Sequence, residues 1–194
     1  MSLRVIGGVA RGKRLKAAPG HGTRPIMDRV KEALFNIIGA GVRGASFLDL
    51  FAGTGSVGIE ALSRGAEHAL FVELSRESIK TIHSNLKHTQ LSSGATVMRR
   101  DAYAILAKAP ERHFHYIYVA PPQYKKMWLR TLEALDANSA WQRPNSRVIV
   151  QIDPDEFEAE RQFKFLRVVD TRRYGRTLLV FYEFQTDGAA CRPS

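Results

Sequence analysis

Strands alternate with helices, a glycine-rich turn follows the first strand of the alternating region, and the two closing strands lie too near each other to hold a helix between them. These observations predict an α/β fold: a seven-stranded, mostly parallel sheet that ends in an antiparallel hairpin, preceded by a basic hairpin and one helix. With 194 residues, 44% of them hydrophobic, the chain suits a single core. A domain of this size buries about two thirds of the surface its unfolded form exposes.

Each element has its own signal. Residues 3–16 alternate loosely and carry Gly7, Gly8 and Gly12, as a glycine-containing β-hairpin does. From Asp28, the apolar residues Val30, Leu34, Ile37 and Ile38 recur at helical spacing until Gly39 ends the run. Ser46–Leu50 reads as a short buried strand, residues 57–64 as a helix closed by Gly65, and His68–Glu73 as a second strand. Ser75 caps a helix marked by Ile79, Ile82 and Leu86, and residues 96–100 form a third strand. Strands at Phe114–Val119 and 147–152 flank a helix through Met127, Trp128, Leu132 and Leu135. Right-handed crossovers make these strands parallel. Residues 165–171 and Thr177–Phe184 are separated by too few residues for a crossover, so they pair antiparallel. The expected organisation is a basic hairpin and helix over 1–43 packed on a main domain over 44–185, with a flexible tail over 186–194.

The net charge of +10 points to a polyanionic partner, because each Lys or Arg set against a phosphate releases condensed counterions. Nine basic residues through Arg43, set against Asp28 and Glu32, supply +7 of that total. A membrane surface or nucleic acid would both satisfy this charge, with Arg11, Lys13, Arg14, Lys16 and Arg24 as the candidate phosphate contacts, RNA-binding if the partner is RNA. Cys191 is the only cysteine, so no intrachain disulfide can form, and a reducing, cytoplasmic compartment is expected. No run of 18 apolar residues suggests a membrane partner.

The strongest local signal is FLDLFAGTGSVGIEAL, in which Gly53, Gly55 and Gly58 make G-x-G-x-x-G between a strand and a helix. Glycines there let a ligand approach the backbone, and the helix N-terminus offers unpaired N–H groups. NAD enzymes share this spacing, and Glu73, 20 residues after Gly53, suits a ribose in either a dinucleotide or S-adenosylmethionine. Asp49 separates the two, since it would repel a pyrophosphate and attract a sulfonium and an ammonium. Asp101 ends the third strand, where it can accept a bond from an adenine amino group, with the Ala102 N–H nearby. His113 and His115 lack a third His or a Cys, so no metal is expected.

The run LDLFAGTGSVGIEALSRGA, with VE at the second strand end, D at the third and PP-x-Y at the fourth, resembles the class I S-adenosylmethionine-dependent methyltransferases. The leading segment RVIGGVARGKRLKAAPGHGTRPIMDRVKEALFNII narrows this, because it is similar to the RsmD family, which methylates the exocyclic N2 of a guanine in 16S rRNA. The likeness runs over about residues 4–184. It implies a Rossmann-like fold, S-adenosyl-L-methionine as cofactor, and the small ribosomal subunit or an assembly intermediate as partner of a monomeric enzyme. It further implies that Asp49, Phe51, Gly53, Gly55, Glu73, Asp101 and Ala102 hold the cofactor. Ala120, Pro121, Pro122, Gln123 and Tyr124 would hold the base.

The family pattern at the last of these places is (D/N)PP(Y/F), and here the acid or amide is Ala120. An exocyclic amine needs hydrogen-bond acceptors more than a strong base, and the carbonyls of Ala120 and Pro121 remain. Gln123, placed between the prolines and Tyr124, offers an amide oxygen as substitute. Losing one positioned group costs about 2 to 4 kcal/mol, which slows an enzyme without abolishing it. An active guanine-N2 methyltransferase and a cofactor-binding RNA-binding protein without catalysis are both consistent with these residues, as is an N6-adenine methyltransferase.

Overall fold

The computed structural model describes residues 3–17 and 26–186. In chain order the elements are α1 (Asp28–Ile38), β1 (Ser46–Leu50), α2 (Ser56–Ser63), β2 (His68–Glu73), α3 (Arg76–Thr89), β3 (Ala95–Arg99), α4 (Ala102–Leu106), β4 (Phe114–Val119), α5 (Met127–Ala137), β5 (Gln142–Ile152), β6 (Leu166–Tyr174) and β7 (Thr177–Phe184). The seven strands form one sheet in the order β3-β2-β1-β4-β5-β7-β6. The first five are parallel, and β7 runs antiparallel to both of its neighbours.

Strand alternation divides the core. Phe47, Phe71, Tyr118, Ile149 and Phe181 face α1, α2 and α3, whereas Leu48, Leu70, Ile117, Val150 and Tyr182 face α4 and α5. The chain leaves β1 toward β2 and later returns on its other side as β4. A topological switch therefore lies between β1 and β4, and in open α/β sheets the crevice beyond the carboxyl ends at that point takes the ligand. Among the described residues, no helix is long and apolar enough to cross a membrane.

Two expectations need correction, and one helix was not anticipated. The N-terminal hairpin is reduced to an isolated antiparallel bridge, Arg4 to Arg14, reinforced by N–H bonds from Val5 to the Lys13 carbonyl and from Leu15 to the Leu3 carbonyl. Its cohesion comes from Leu3, Val5, Ala10 and Leu15, which join the core under α1 and α2 and hold the arm without a long ladder. Helix α4 was not legible, because it has only five residues and shows no full apolar repeat. Strand β5 begins at Gln142, five residues earlier than expected, since Pro144 and Asn145 read as a turn. Asn145 is indeed left-handed at φ 66°, and the ladder to β4 shifts register at that point.

Candidate active site

The glycine turn follows β1 directly. Phe51 takes a left-handed φ of 62°, unusual for a residue with a side chain, and its ring meets Tyr103 of α4 edge-on at 6.3 Å. Gly53 and Gly55 continue the left-handed path at φ 56° and 75° and carry the chain into α2. Gly58 is required for a different reason: a Cβ there would lie 2.3 Å from the Phe71 ring. The third glycine thus sets how closely α2 packs on β2.

Asp49 of β1 is buried, and its Oδ2 accepts the Gly58 N–H at 2.9 Å. Its other oxygen has no donor among the described residues. Burial pushes the carboxyl up to about 8, the Gly58 amide opposes this, and the neighbouring Glu73 charge adds to it. A buried acid held at this value is a site that a cation would stabilise.

Glu73 lies at the end of β2 and braces the turn. Its Oε2 accepts the Gly53 N–H, and its Oε1 accepts those of Leu74 and Ser75, all at 2.8 Å. One lone pair on Oε2 remains for a ligand. Asp101 is exposed and caps α4, its Oδ1 accepting the Tyr103 and Ala104 N–H groups at 2.9 Å each, while Ala102 is buried behind it. The three acids line the carboxyl ends of β1, β2 and β3, as their sequence positions required, but each also organises the backbone around it.

The other wall of the crevice is the turn after β4. Ala120 is half-buried, Pro121 buried, and Pro122 and Gln123 half-buried. Tyr124 stands 61% exposed on a left-handed backbone at φ 61°. Its hydroxyl donates to Asp153 Oδ2 at 2.8 Å and accepts from Arg176 at 3.3 Å. Arg176 also approaches Asp153 at 3.5 Å. Asp153 is held below the usual carboxylate range, chiefly by the Tyr124 hydroxyl and then by the Asp155 amide and Arg176.

Asp153 follows β5 and Arg176 sits at the tip of the β6–β7 hairpin, so only the sheet order brings them to Tyr124. No spacing in the sequence signals them. Tyr118 and Gln151 were missed for the same reason: the Tyr118 hydroxyl donates to Gln151 Oε1 at 2.6 Å across the β4–β5 ladder. Among the described residues, no group of three or more His, Cys, Asp or Glu could hold a metal.

The arm is docked beside this crevice. The Lys16 N–H donates to Asn85 Oδ1 of α3 at 2.8 Å, and Asn85 Nδ2 donates to the carbonyls of Lys16 and Thr54. One side chain therefore ties the arm to the glycine turn. Arg11, Arg14 and Lys16 are exposed, but the Lys13 ammonium is engaged by the His88 and Thr89 carbonyls at the C-terminus of α3. Arg24 lies outside the described residues.

A Rossmann-like sheet with a glycine turn and an acid at each of three strand ends is the architecture of class I methyltransferases. The chain belongs to the RsmD family: the family model described as "Conserved hypothetical protein 95" matches residues 3–183. It is 39% identical over 183 residues to "Putative rRNA methyltransferase YlbH" of Bacillus subtilis, covering 93% of this chain and 98% of that protein. It is 33% identical over 156 residues to the ribosomal RNA small subunit methyltransferase D of Haemophilus influenzae, covering 79% and 80%. A solved structure called "Putative methyltransferase yhhF from Escherichia coli" superposes with a TM-score of 0.84 at 28% identity, over 95% of this chain and 99% of that one.

Proposed function

We propose that this protein methylates small-subunit ribosomal RNA, transferring a methyl group from S-adenosyl-L-methionine to the exocyclic N2 of a guanine. The observation that carries the reading is Asp49, a carboxyl at the switch point that burial pushes up to about 8, with one oxygen on the Gly58 amide and the other without a donor among the described residues. A pyrophosphate would worsen its position, whereas a sulfonium and an amino-acid ammonium would relieve it. The relatives named as rRNA methyltransferases support the RNA substrate.

Bound S-adenosylmethionine supplies an electrophilic methyl group. The chain's own residues position and neutralise. Asp49 faces the cationic end, the remaining lone pair of Glu73 accepts a ribose hydroxyl, and Asp101 with the Ala102 N–H meets the adenine edge. The base enters between the Pro121-Pro122 turn and the exposed ring of Tyr124, which stacks on it once it leaves its helix. The carbonyls of Ala120 and Pro121 accept hydrogen bonds from the amine as its nitrogen becomes tetrahedral and takes the methyl group, with S-adenosylhomocysteine as the leaving product and the surplus N–H proton passing to water. Arg11, Arg14 and Lys16 of the arm, which Asn85 ties to the glycine turn at Lys16, hold the RNA phosphates, and the enzyme works as a monomer in the cytoplasm.

The test is transfer of labelled methyl to small subunits and to naked rRNA, followed by digestion to nucleosides. N2-methylguanosine is the expected product. N6-methyladenosine would move the assignment to an adenine enzyme. No transfer by a protein that still binds both ligands would make it a cofactor-binding RNA-binding protein.

A further inference from the structure

We infer that Gln151, oriented by Tyr118, reads the edge of the target guanine from the strand beside Ala120; the inference rests on the guanine reading above. Val119 and Val150 are in register, so the next residues along the two parallel strands, Ala120 and Gln151, run side by side at the carboxyl edge. Ile149 and Tyr118 belong to the core under α1 to α3, and Ala120 packs against that same core, whereas Val150 and Ile152 belong to the opposite one. Alternation therefore puts Gln151 on the face that carries Tyr118, Ala120 and, in register with Tyr118 on β1, Asp49.

The Tyr118 hydroxyl donates to Gln151 Oε1 at 2.6 Å. Burial, and then the Asp49 charge, push the Tyr118 phenol well above its ordinary value, so it stays protonated and remains the donor. This fixes which way the amide points. Oε1 keeps one lone pair, and Nε2, with no acceptor among the described residues, keeps both hydrogens. Gln151 is half-buried, so these groups are partly withdrawn from water without being paired.

A planar amide presenting one acceptor and two donors matches the amino-bearing edge of guanine, where the N2 hydrogens donate and N3 accepts. A carboxylate in the same place could only accept. The methyl side chain of Ala120 leaves the approach clear. Gln123, the other candidate amide, lies beyond the two prolines and makes no side-chain hydrogen bond among the described residues.

The experiment compares wild type with Gln151→Ala, Tyr118→Phe, Gln123→Ala and Gln151→Ala combined with Ala120→Asp. Methyl transfer to small-subunit rRNA, S-adenosylmethionine affinity by calorimetry and the melting temperature are read together. Gln151→Ala is expected to lower kcat about tenfold or more while cofactor affinity stays within about twofold, the loss of one positioned polar group. Tyr118→Phe falls between, and Ala120→Asp restores part of the loss by supplying an acceptor from the neighbouring strand. Transfer by Gln151→Ala within twofold of wild type overturns the inference alone. So does an equal fall in cofactor affinity, a loss that Ala120→Asp leaves untouched, or a loss confined to Gln123→Ala. A wild type that transfers no methyl to guanine overturns the function and the inference with it.

Discussion

Lys31 on α1 and Glu60 on α2 approach to 3.6 Å with both side chains wholly shut off from solvent. Burial pushes the ammonium below its ordinary value, and the Glu60 and Asp28 charges pull it back up. The pair would be a poor bargain alone, since two buried ions lose more hydration than one contact returns. Glu60, however, also accepts the Ile6 and Gly7 N–H groups at 2.8 Å and the Arg64 guanidinium at 2.7 Å, while Lys31 donates to the Arg4 carbonyl at 2.6 Å. The acid is a socket that fastens the N-terminal arm to the helix that follows the glycine turn.

Glu60→Ala should therefore unfasten the arm. It leaves Lys31 buried without its counterion and two arm amides without acceptors, a loss of about 3 to 5 kcal/mol. Thermal unfolding gives the stability change. Limited trypsin digestion should cut at Arg11 and Arg14 in the variant well before wild type is cut there. An arm equally protected in both would show that its apolar contacts hold it unaided.

Gly58→Ala tests the packing that positions Asp49. The added methyl would meet the Phe71 ring at 2.3 Å inside a closed core, and overpacking of this kind costs about 1 to 3 kcal/mol. Moving α2 away would lengthen the bond from the Gly58 N–H to Asp49. Lower stability with weaker cofactor binding is expected. Unchanged affinity would show that the turn tolerates a shifted helix.

For the arm, neutralising Arg11, Arg14 and Lys16 together should weaken RNA binding and reduce the salt slope by about 0.7 to 0.9 per lost phosphate contact. Cofactor affinity should stay near wild type. Lys13 is left out because it serves the C-terminus of α3, so its removal would mix a folding loss into the readout. A salt slope that does not change would make the arm an ordinary solvated surface.

Tyr124→Ala is expected to lower methyl transfer tenfold or more, since base stacking contributes about 1 to 3 kcal/mol and each 1.4 kcal/mol is about tenfold. Tyr124→Phe keeps the ring but loses the bond to Asp153, so it should retain most of the transfer that Tyr124→Ala loses. Equal defects in the two variants would mean that the hydroxyl, not the ring face, is what the reaction needs.

The parts of the site that lie along one stretch of chain were legible. Asp49 and the glycines occur together, and Glu73 and Asp101 end strands that their apolar runs define, so strand alternation alone places all three acids on one edge. Gln151, Asp153 and Arg176 were not legible, because they reach the site only through the placement of β5 beside β4 and of the hairpin tip beside both. The same limit explains Lys13: its charge could be read, but not the helix end that occupies it. Helix α4 and the bulged start of β5 escaped because each is too short or too irregular to show a period.

Asp49 makes the cofactor reading testable through protons. The folded carboxyl lies at about 8 against an ordinary 3.8, so the protein without ligand holds a proton there that the unfolded chain releases. The stability tied to that proton is fully present below the unfolded value and is lost as pH rises through the folded one. A bound sulfonium and ammonium favour the carboxylate and lower its value, so binding S-adenosylmethionine just below pH 8 should expel the proton. Affinity should accordingly rise with pH up to about 8 and level off above. Calorimetry in two buffers of different ionisation enthalpy measures the proton released. Asp49→Asn should bind more weakly, release no proton and lose the pH dependence. If the variant retains the wild-type pH profile, the titrating group lies elsewhere and Asp49 serves only to cap α2 through Gly58.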